Sequence, residues 1–240
     1  MFLRMLYFVY QWVVVVPMML LLTLLTAVTV ILGCTLGDGD FWGYYPGRIW
    51  SRLVCALCLL PVRVKGREHL DPQKSYIFVA NHQGAFDIFL IYGYLNRSFK
   101  WIMKKSLRKM PFVGQACHSA GHIFIDDSGV RGVKSSLLQA RQTLALGHSI
   151  VIFPEGSRTL DGRIHRFKRG AFQMAEELQL SVVPLTIEGP YRVLKRGTTR
   201  LAPHPLHLTI HQPIHVLKDQ EGEAARLQKE AFDVISASLS

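Results

Sequence analysis

From Met5 to Gly37 the chain carries no charged side chain. The heart of that run, "LYFVYQWVVVVPMMLLLTLLTAVTVILG", restricts the possible folds more than any other feature. A secretory leader has an apolar stretch of only about 7–15 residues and a small-residue cleavage site. This run is longer and has no clear site, so it reads as a retained membrane helix. At about 1.5 Å per residue it would reach roughly 40 Å, beyond the ~30 Å hydrocarbon core of a bilayer. A kink at Pro17, or tilt, would absorb the excess.

A second apolar stretch, "IWSRLVCALCLLP", contains Arg52 and is too short to span easily. Such stretches are expected to lie in the interface or to re-enter. The segment between the two, "CTLGDGDFWGYYPGR", is rich in Gly and aromatics and reads as a linker. Trp42, Tyr44 and Tyr45 would sit at a membrane–water boundary. Arg4 precedes the first helix, and Arg63, Lys65 and Arg67 follow the second stretch. Basic residues at both ends favour a hairpin whose two ends face the cytoplasm. Residues 1–61 are therefore expected to form a membrane-embedded helical hairpin. Residues 62–240 would form a separate domain on the cytoplasmic side of the inner membrane.

After Val62 the texture changes. "VRVKGREHL" reads as strand and turn, "SYIFVANH" as a strand and "AFDIFLIYGYL" as a helix. "FKWIMKKSL" reads as a strand and basic turn, and "VKSSLLQARQTLALG" as a helix closed by Gly147. "SIVIFPEG", "SVVPLTIEG" and "LHLTIHQPIHV" read as strands, and "RGAFQMAEELQL" and the C-terminal stretch as helices. Strands alternating with helices predict an α/β fold with a mixed, largely parallel sheet flanked by helices. The 240 residues are enough for one substantial core, and the net charge of +11 favours a membrane surface or an acidic ligand. No nucleic-acid-binding signature accompanies that charge. Cys55 and Cys58 form a C-x-x-C in an apolar segment without a second ligand pair, which fits packing better than zinc.

His82 and Asp87 interrupt this apolar texture in "YIFVANHQGAFDIFLIYGYL". On one continuous helix a spacing of five would place them about 140° apart. They can meet only if the chain turns between them, and Gly84 at a strand-to-helix joint permits that turn. A carboxylate on one imidazole nitrogen fixes the tautomer and leaves the other nitrogen to act as a base. No G-x-S-x-G context is present, so no serine acyl-enzyme is expected. An isolated H-x-x-x-x-D is more often a capped helix with a space-filling histidine. A second element, "IFPEGSRTLDGRIHRFKRGAF", delivers Glu155, Gly156, Ser157 and Arg158 into a loop. Arg158 offers a planar fork suited to phosphate, and Ser157 and the backbone add donors. Glu155 would orient Arg158 or bind a substrate hydroxyl. In "MKKSLRKMPFVG" the cations Lys104, Lys105, Arg108 and Lys109 lie close together.

The stretches "NHQGAFD", "KKSLRKMPFVG" with "GHIFID", "FPEGSR" and "VVPLTIEG" follow one another in the order and approximate spacing of the four blocks of the glycerolipid acyltransferase family. The chain resembles that family from about Val62 to Val216. The resemblance implies transfer of a fatty acyl group from acyl-CoA or acyl carrier protein to the sn-2 hydroxyl of lysophosphatidic acid. Phosphatidic acid would form, as in phospholipid biosynthesis, with no cofactor and no metal. His82 and Asp87 match the family's catalytic pair. Arg158 and Lys104, with Lys105 as the neighbouring alternative, match positions linked to acceptor phosphate; Ser157 would assist them. Glu155 and Gly156 would position substrate. Three positions depart from the pattern: Gly84 where Ser is usual, Ser106 where Glu is frequent, and Asp127 where an Arg is expected. Two alternatives follow: a relative acylating another lyso-lipid or glycerol 3-phosphate, or a non-catalytic scaffold that binds anionic lipid.

Overall fold

The computed structural model describes residues 2–125, 138–144, 146–217 and 220–239. The charge-free run is one helical rod in three parts: α1 (Phe2–Tyr10), a wide π-helical segment (Gln11–Val15) and α2 (Val16–Leu36). Pro17 explains the middle part. Its ring would clash with the Val13 carbonyl in a regular α-turn, and the wider turn relieves the conflict. This rod is long and apolar enough to cross a membrane. Leu20, Leu21, Leu24, Leu25, Val28 and Leu32 are exposed along it.

The expected linker is helical instead. α3 runs from Gly39 to Leu57, so the corner with α2 shrinks to Gly37 and Asp38. Asp38 caps the helix by accepting from the Asp40 N–H at 2.9 Å. Tyr44 is no boundary residue: it is buried, stacked on Tyr92 with ring centroids 5.7 Å apart. Burial of one face by protein outweighed the loop-like composition. Trp50 donates to the Thr23 hydroxyl at 3.0 Å and ties α3 to α2. Cys55 and Cys58 are buried apolar packing groups.

A seven-stranded sheet follows, in the order β1-β7-β6-β2-β5-β3-β4. Its strands are β1 (Val62–Lys65), β2 (Ile77–Ala80), β3 (Phe99–Lys104), β4 (Ile123–Ile125), β5 (Ser149–Ile152), β6 (Val182–Glu188) and β7 (Leu206–Ile210). Strands β2 to β6 are parallel to one another. β7 opposes β6, and β1 runs with β7. The mixed, largely parallel sheet is as expected.

Every residue of β2 is buried, because both faces of the sheet are covered. Phe78 and Ala80 face a layer that includes α3 and α4 (Phe86–Tyr94), whereas Ile77 and Val79 face α7 (Gly170–Leu178) and α9 (Glu223–Leu239). Residues 138–144 form α6, and Ala140 and Leu144 join that second layer; residues 133–137 of the expected helix lie outside the described residues. Three short helices were not expected: α5 (Val113–Ser119), α8 (Pro190–Val193) and a 3-10 turn at Arg67–His69. Val15, Tyr44, Val54 and Leu60 share one apolar cluster with Phe78, Leu90 and Leu185. Residues on both sides of position 61/62 thus build the same core. Because five strands run parallel, their carboxyl ends gather on one edge, which carries His82, Lys104, Glu155 and Glu188.

Candidate active site

β2 ends at Ala80, and Asn81 turns the chain. The Asn81 amide donates to the Ile187 carbonyl at 2.9 Å and accepts from the Ile187 N–H at 2.8 Å. That pair of bonds clamps the end of β2 to β6. The chain then folds back so that α4 begins at Phe86 and returns Asp87 to His82. His82 Nδ1 and Asp87 Oδ2 are 2.7 Å apart, and the Gly84 N–H donates to the same oxygen at 2.9 Å. Gly84 is buried, and a Cβ there would stand 3.1 Å from the Pro190 carbonyl oxygen. The departure from Ser at this position matches a close approach of two backbones.

The Asp87 side chain is fully buried, whereas His82 retains 16 % exposure. Burial pushes the Asp87 carboxyl upward, and the bonds from His82 and the Gly84 amide oppose that shift. With a carboxylate on Nδ1, that nitrogen holds the proton and Nε2 holds the lone pair. Among the described residues Nε2 has no hydrogen-bond partner. The imidazole stacks on Phe153, with centroids 3.9 Å apart and planes 9° apart, and Phe153 stacks in turn on Trp101.

The loop after β5 closes the site from the other side. Glu155 does not meet Arg158. Its two carboxylate oxygens accept from the backbone N–H groups of His82 at 2.7 Å and His165 at 3.0 Å. Burial raises its pKa, and those two amides pull it back. The Thr159 N–H donates to the His82 carbonyl at 2.9 Å, so the loop grips His82 twice. Gly156 has φ +77°, and a Cβ there would lie 2.8 Å from the Lys168 ammonium. Ser157 and Arg158 follow and are exposed. The amides of His82, Gly84, Gly156, Thr159 and His165 all donate within this region. Among the described residues, those of Ser157 and Arg158 have no acceptor.

With this geometry in hand, residues 61–188 match the model of a family described as Acyltransferase. The chain belongs to the acyltransferase family. A 1-acyl-sn-glycerol-3-phosphate acyltransferase of Chlamydomonas reinhardtii is 36% identical over 169 residues, covering 69% of this chain and 51% of that protein. The human enzyme named 1-acyl-sn-glycerol-3-phosphate acyltransferase alpha is 35% identical over 127 residues, 52% of this chain and 45% of the relative. The chain thus spans about half the length of these curated relatives. Among solved structures, the crystal structure of PlsC, the 1-acyl-sn-glycerophosphate acyltransferase of Thermotoga maritima, is similar with a TM-score of 0.75 and 27% identity. That match covers 92% of this chain and 94% of the other.

The joint after β2 and the loop after β5 account for which predicted residues converge. His82, Asp87, Glu155 and Gly156 meet at one joint, with Ser157 and Arg158 on the adjoining loop. Lys104 ends β3 and is exposed, and Lys105 opens the 3-10 turn that follows. Both reach the same sheet edge through β3, which pairs with β5. Asp126 and Asp127 lie outside the described residues. Sequence reasoning missed Asn81 and Phe153. Asn81 had a signal, being a polar residue at the end of a wholly apolar strand. Phe153 had none, since an aromatic residue after a strand is ordinary.

Proposed function

We propose that this acyltransferase moves a fatty acyl group from a thioester of coenzyme A or acyl carrier protein to the sn-2 hydroxyl of 1-acyl-glycerol 3-phosphate. The product is phosphatidic acid. The 2.7 Å contact between His82 and Asp87, with Nε2 left unpartnered, carries this reading. In the proposed reaction Nε2 removes the proton of the acceptor hydroxyl as its oxygen attacks the thioester carbonyl. Asp87 stabilises the imidazolium that forms. The tetrahedral intermediate collapses with cleavage of the C–S bond, and the proton passes from Nε2 to the departing thiolate. The unengaged N–H groups of Ser157 and Arg158 are the proposed oxyanion donors.

The Arg158 guanidinium, with Lys104 and Lys105, binds the acceptor phosphate, and Ser157 adds a donor. Glu155 and Gly156 position substrate indirectly, by holding the two loops in register. The chemistry uses side chains and the thioester alone and invokes no cofactor. The hairpin anchors the protein in the cytoplasmic membrane with the sheet edge on the cytoplasmic side. Lipid acceptor then arrives laterally, while the thioester arrives from water. Support comes from the exposed leucines of the rod and from the basic residues flanking the hairpin.

The test uses the purified full chain in detergent with acyl-CoA or acyl carrier protein thioester. The acceptor panel is 1-acyl-glycerol 3-phosphate, glycerol 3-phosphate and a lyso-aminolipid. Phosphatidic acid as the dominant product is the expected outcome. Folded protein that acylates none of them, or that prefers glycerol 3-phosphate, overturns the assignment.

A further inference from the structure

Arg4 is the only charged residue in the rod that runs from Phe2 to Leu36. Arg4, Phe8 and Gln11 lie at helical positions i, i+4 and i+7, on one face. That face meets residues 199–201, which follow α8. The Gln11 amide donates to the Thr199 carbonyl at 2.6 Å and accepts from the Leu201 N–H at 2.9 Å. Both neighbours of Arg200 are therefore bolted to the rod. The Arg200 guanidinium in turn lies 5.9 Å from the Phe8 ring centroid. Arg4, Met5, Phe8 and Arg200 line a cleft of about 540 Å³ between the two elements.

Neither arginine is paired with a carboxylate of the described residues. Yet their surroundings are apolar: Phe2 and Leu3 are 71% and 77% exposed, and Leu6 and Trp12 are also open. Both arginines are exposed in the protein alone; at the apolar boundary of a membrane two cations lining one cleft require a counter-ion. Arginine's planar fork suits a phosphate oxygen pair, and its apolar stem suits the acyl boundary. We propose that this cleft is a site for the phosphate headgroup of an anionic membrane lipid, gripped by Arg4 and Arg200. Its lining residues do not include the Ser157–Arg158 loop proposed for the acceptor phosphate. An acidic protein would satisfy the charges but leave the flanking aromatic and aliphatic side chains in water. A lipid satisfies both. The inference rests on the membrane reading above.

The experiment is native mass spectrometry of the full chain in a neutral detergent, with equal amounts of phosphatidylglycerol and phosphatidylcholine added. The wild type is expected to retain phosphatidylglycerol preferentially. Each of Arg4→Ala and Arg200→Ala should lower that retention about fivefold, following the usual worth of one cation near an anionic lipid surface. The double variant should fall to the phosphatidylcholine level, Arg200→Lys should keep part of the preference, and Arg158→Ala should keep all of it. Melting curves confirm that each variant is folded. Equal retention of both lipids, an unaffected double variant, or loss in Arg158→Ala instead would overturn the site. Displacement by millimolar inorganic phosphate would mark a free-anion site and overturn the lipid assignment. Flotation with phosphatidylcholine vesicles separates the two levels. A wild type that fails to float sinks the membrane reading and this site with it. One that floats without lipid preference sinks only this site.

Discussion

His82 and His122 are both held at Nδ1, yet they are opposite devices. His82 follows β2, and its Nδ1 donates to the Asp87 carboxylate. His122 precedes β4, and its Nδ1 accepts from the Trp101 N–H at 3.2 Å. The first partner forces the proton onto Nδ1 and leaves a lone pair on Nε2. The second forces the lone pair onto Nδ1 and the proton onto Nε2. His122 is buried, and that burial, with the nearby Lys100 ammonium, pushes it down to about 3. Lys100 itself donates to the Ala120 carbonyl at 3.1 Å and reaches Asp40 on α3. One histidine is therefore left with an outward lone pair, as the proposed base requires, and the other is a neutral packing group that completes a backbone bond. Residue type does not distinguish them; the partner on one nitrogen and the access to the other do.

The sharpest way to break this contrast is to remove each ring in turn. His82→Ala is expected to lower acyl transfer by about 10³-fold or more per folded molecule, with the protein still melting cooperatively. His122→Ala should do the reverse: it leaves the Trp101 N–H buried without an acceptor, costs about 1–3 kcal/mol in denaturant melts, and spares turnover per folded molecule. A His122→Ala protein that is stable but inactive would contradict the division of roles.

Asp87→Asn comes next. Losing the charge that fixes the tautomer should lower kcat about 10²-fold or more. Burial holds the Asp87 carboxyl above its ordinary value, so its charged form is a cost to the fold near neutral pH. The melting temperature of the variant should therefore stay at or above that of the wild type. A large fall would show that the carboxylate holds the fold rather than the imidazole.

Glu155→Gln is a smaller perturbation with a distinct signature. The amide keeps one acceptor but turns an NH₂ toward a backbone N–H, so one of the two loop bonds is lost. Turnover should fall about tenfold through His82 displacement, at about the cost of one unsatisfied buried donor, roughly 1–3 kcal/mol. Unchanged kinetics would exclude Glu155 as the link between the two loops.

The last effect is confined to acid pH. Unfolded His122 takes a proton near 6.5, but the folded side chain resists until about 3. The stability that neutral His122 contributes is thus present above pH 6.5 and lost progressively as pH falls from there toward 3. The slope should approach one proton, about 1.4 kcal/mol per pH unit. His122→Asn should flatten that part of the stability–pH curve, and an unchanged slope would mean the ring is not buried neutral.

Much of this arrangement was legible in the sequence. An all-apolar strand broken by a histidine, a glycine and an aspartate at the start of a helix leaves few ways to fold, although Gly84 serves close packing against Pro190 rather than a left-handed turn. The loop with Glu155 and Arg158 could be placed after a strand for the same reason. Its inner wiring could not: Glu155 sits among cations in sequence, and only the fold brings the His82 and His165 amides to its oxygens. Gly39–Arg48 looked like a boundary linker because glycine and aromatics dominate it. Its helix exists because Tyr92 and Phe99, distant in sequence, bury Tyr44. His122 gave no signal, since its role depends on a backbone N–H from the neighbouring strand.

The most direct test of the contrast is ¹⁵N NMR of the protein with labelled histidine, the two rings assigned through His82→Ala and His122→Ala. His82 should show a protonated Nδ1 and an unprotonated Nε2, and His122 the opposite tautomer, with no titration of His122 between pH 5 and 8. A His82 ring protonated on Nε2 in the neutral form would contradict the account, because its outward nitrogen would then have no lone pair with which to accept the substrate proton.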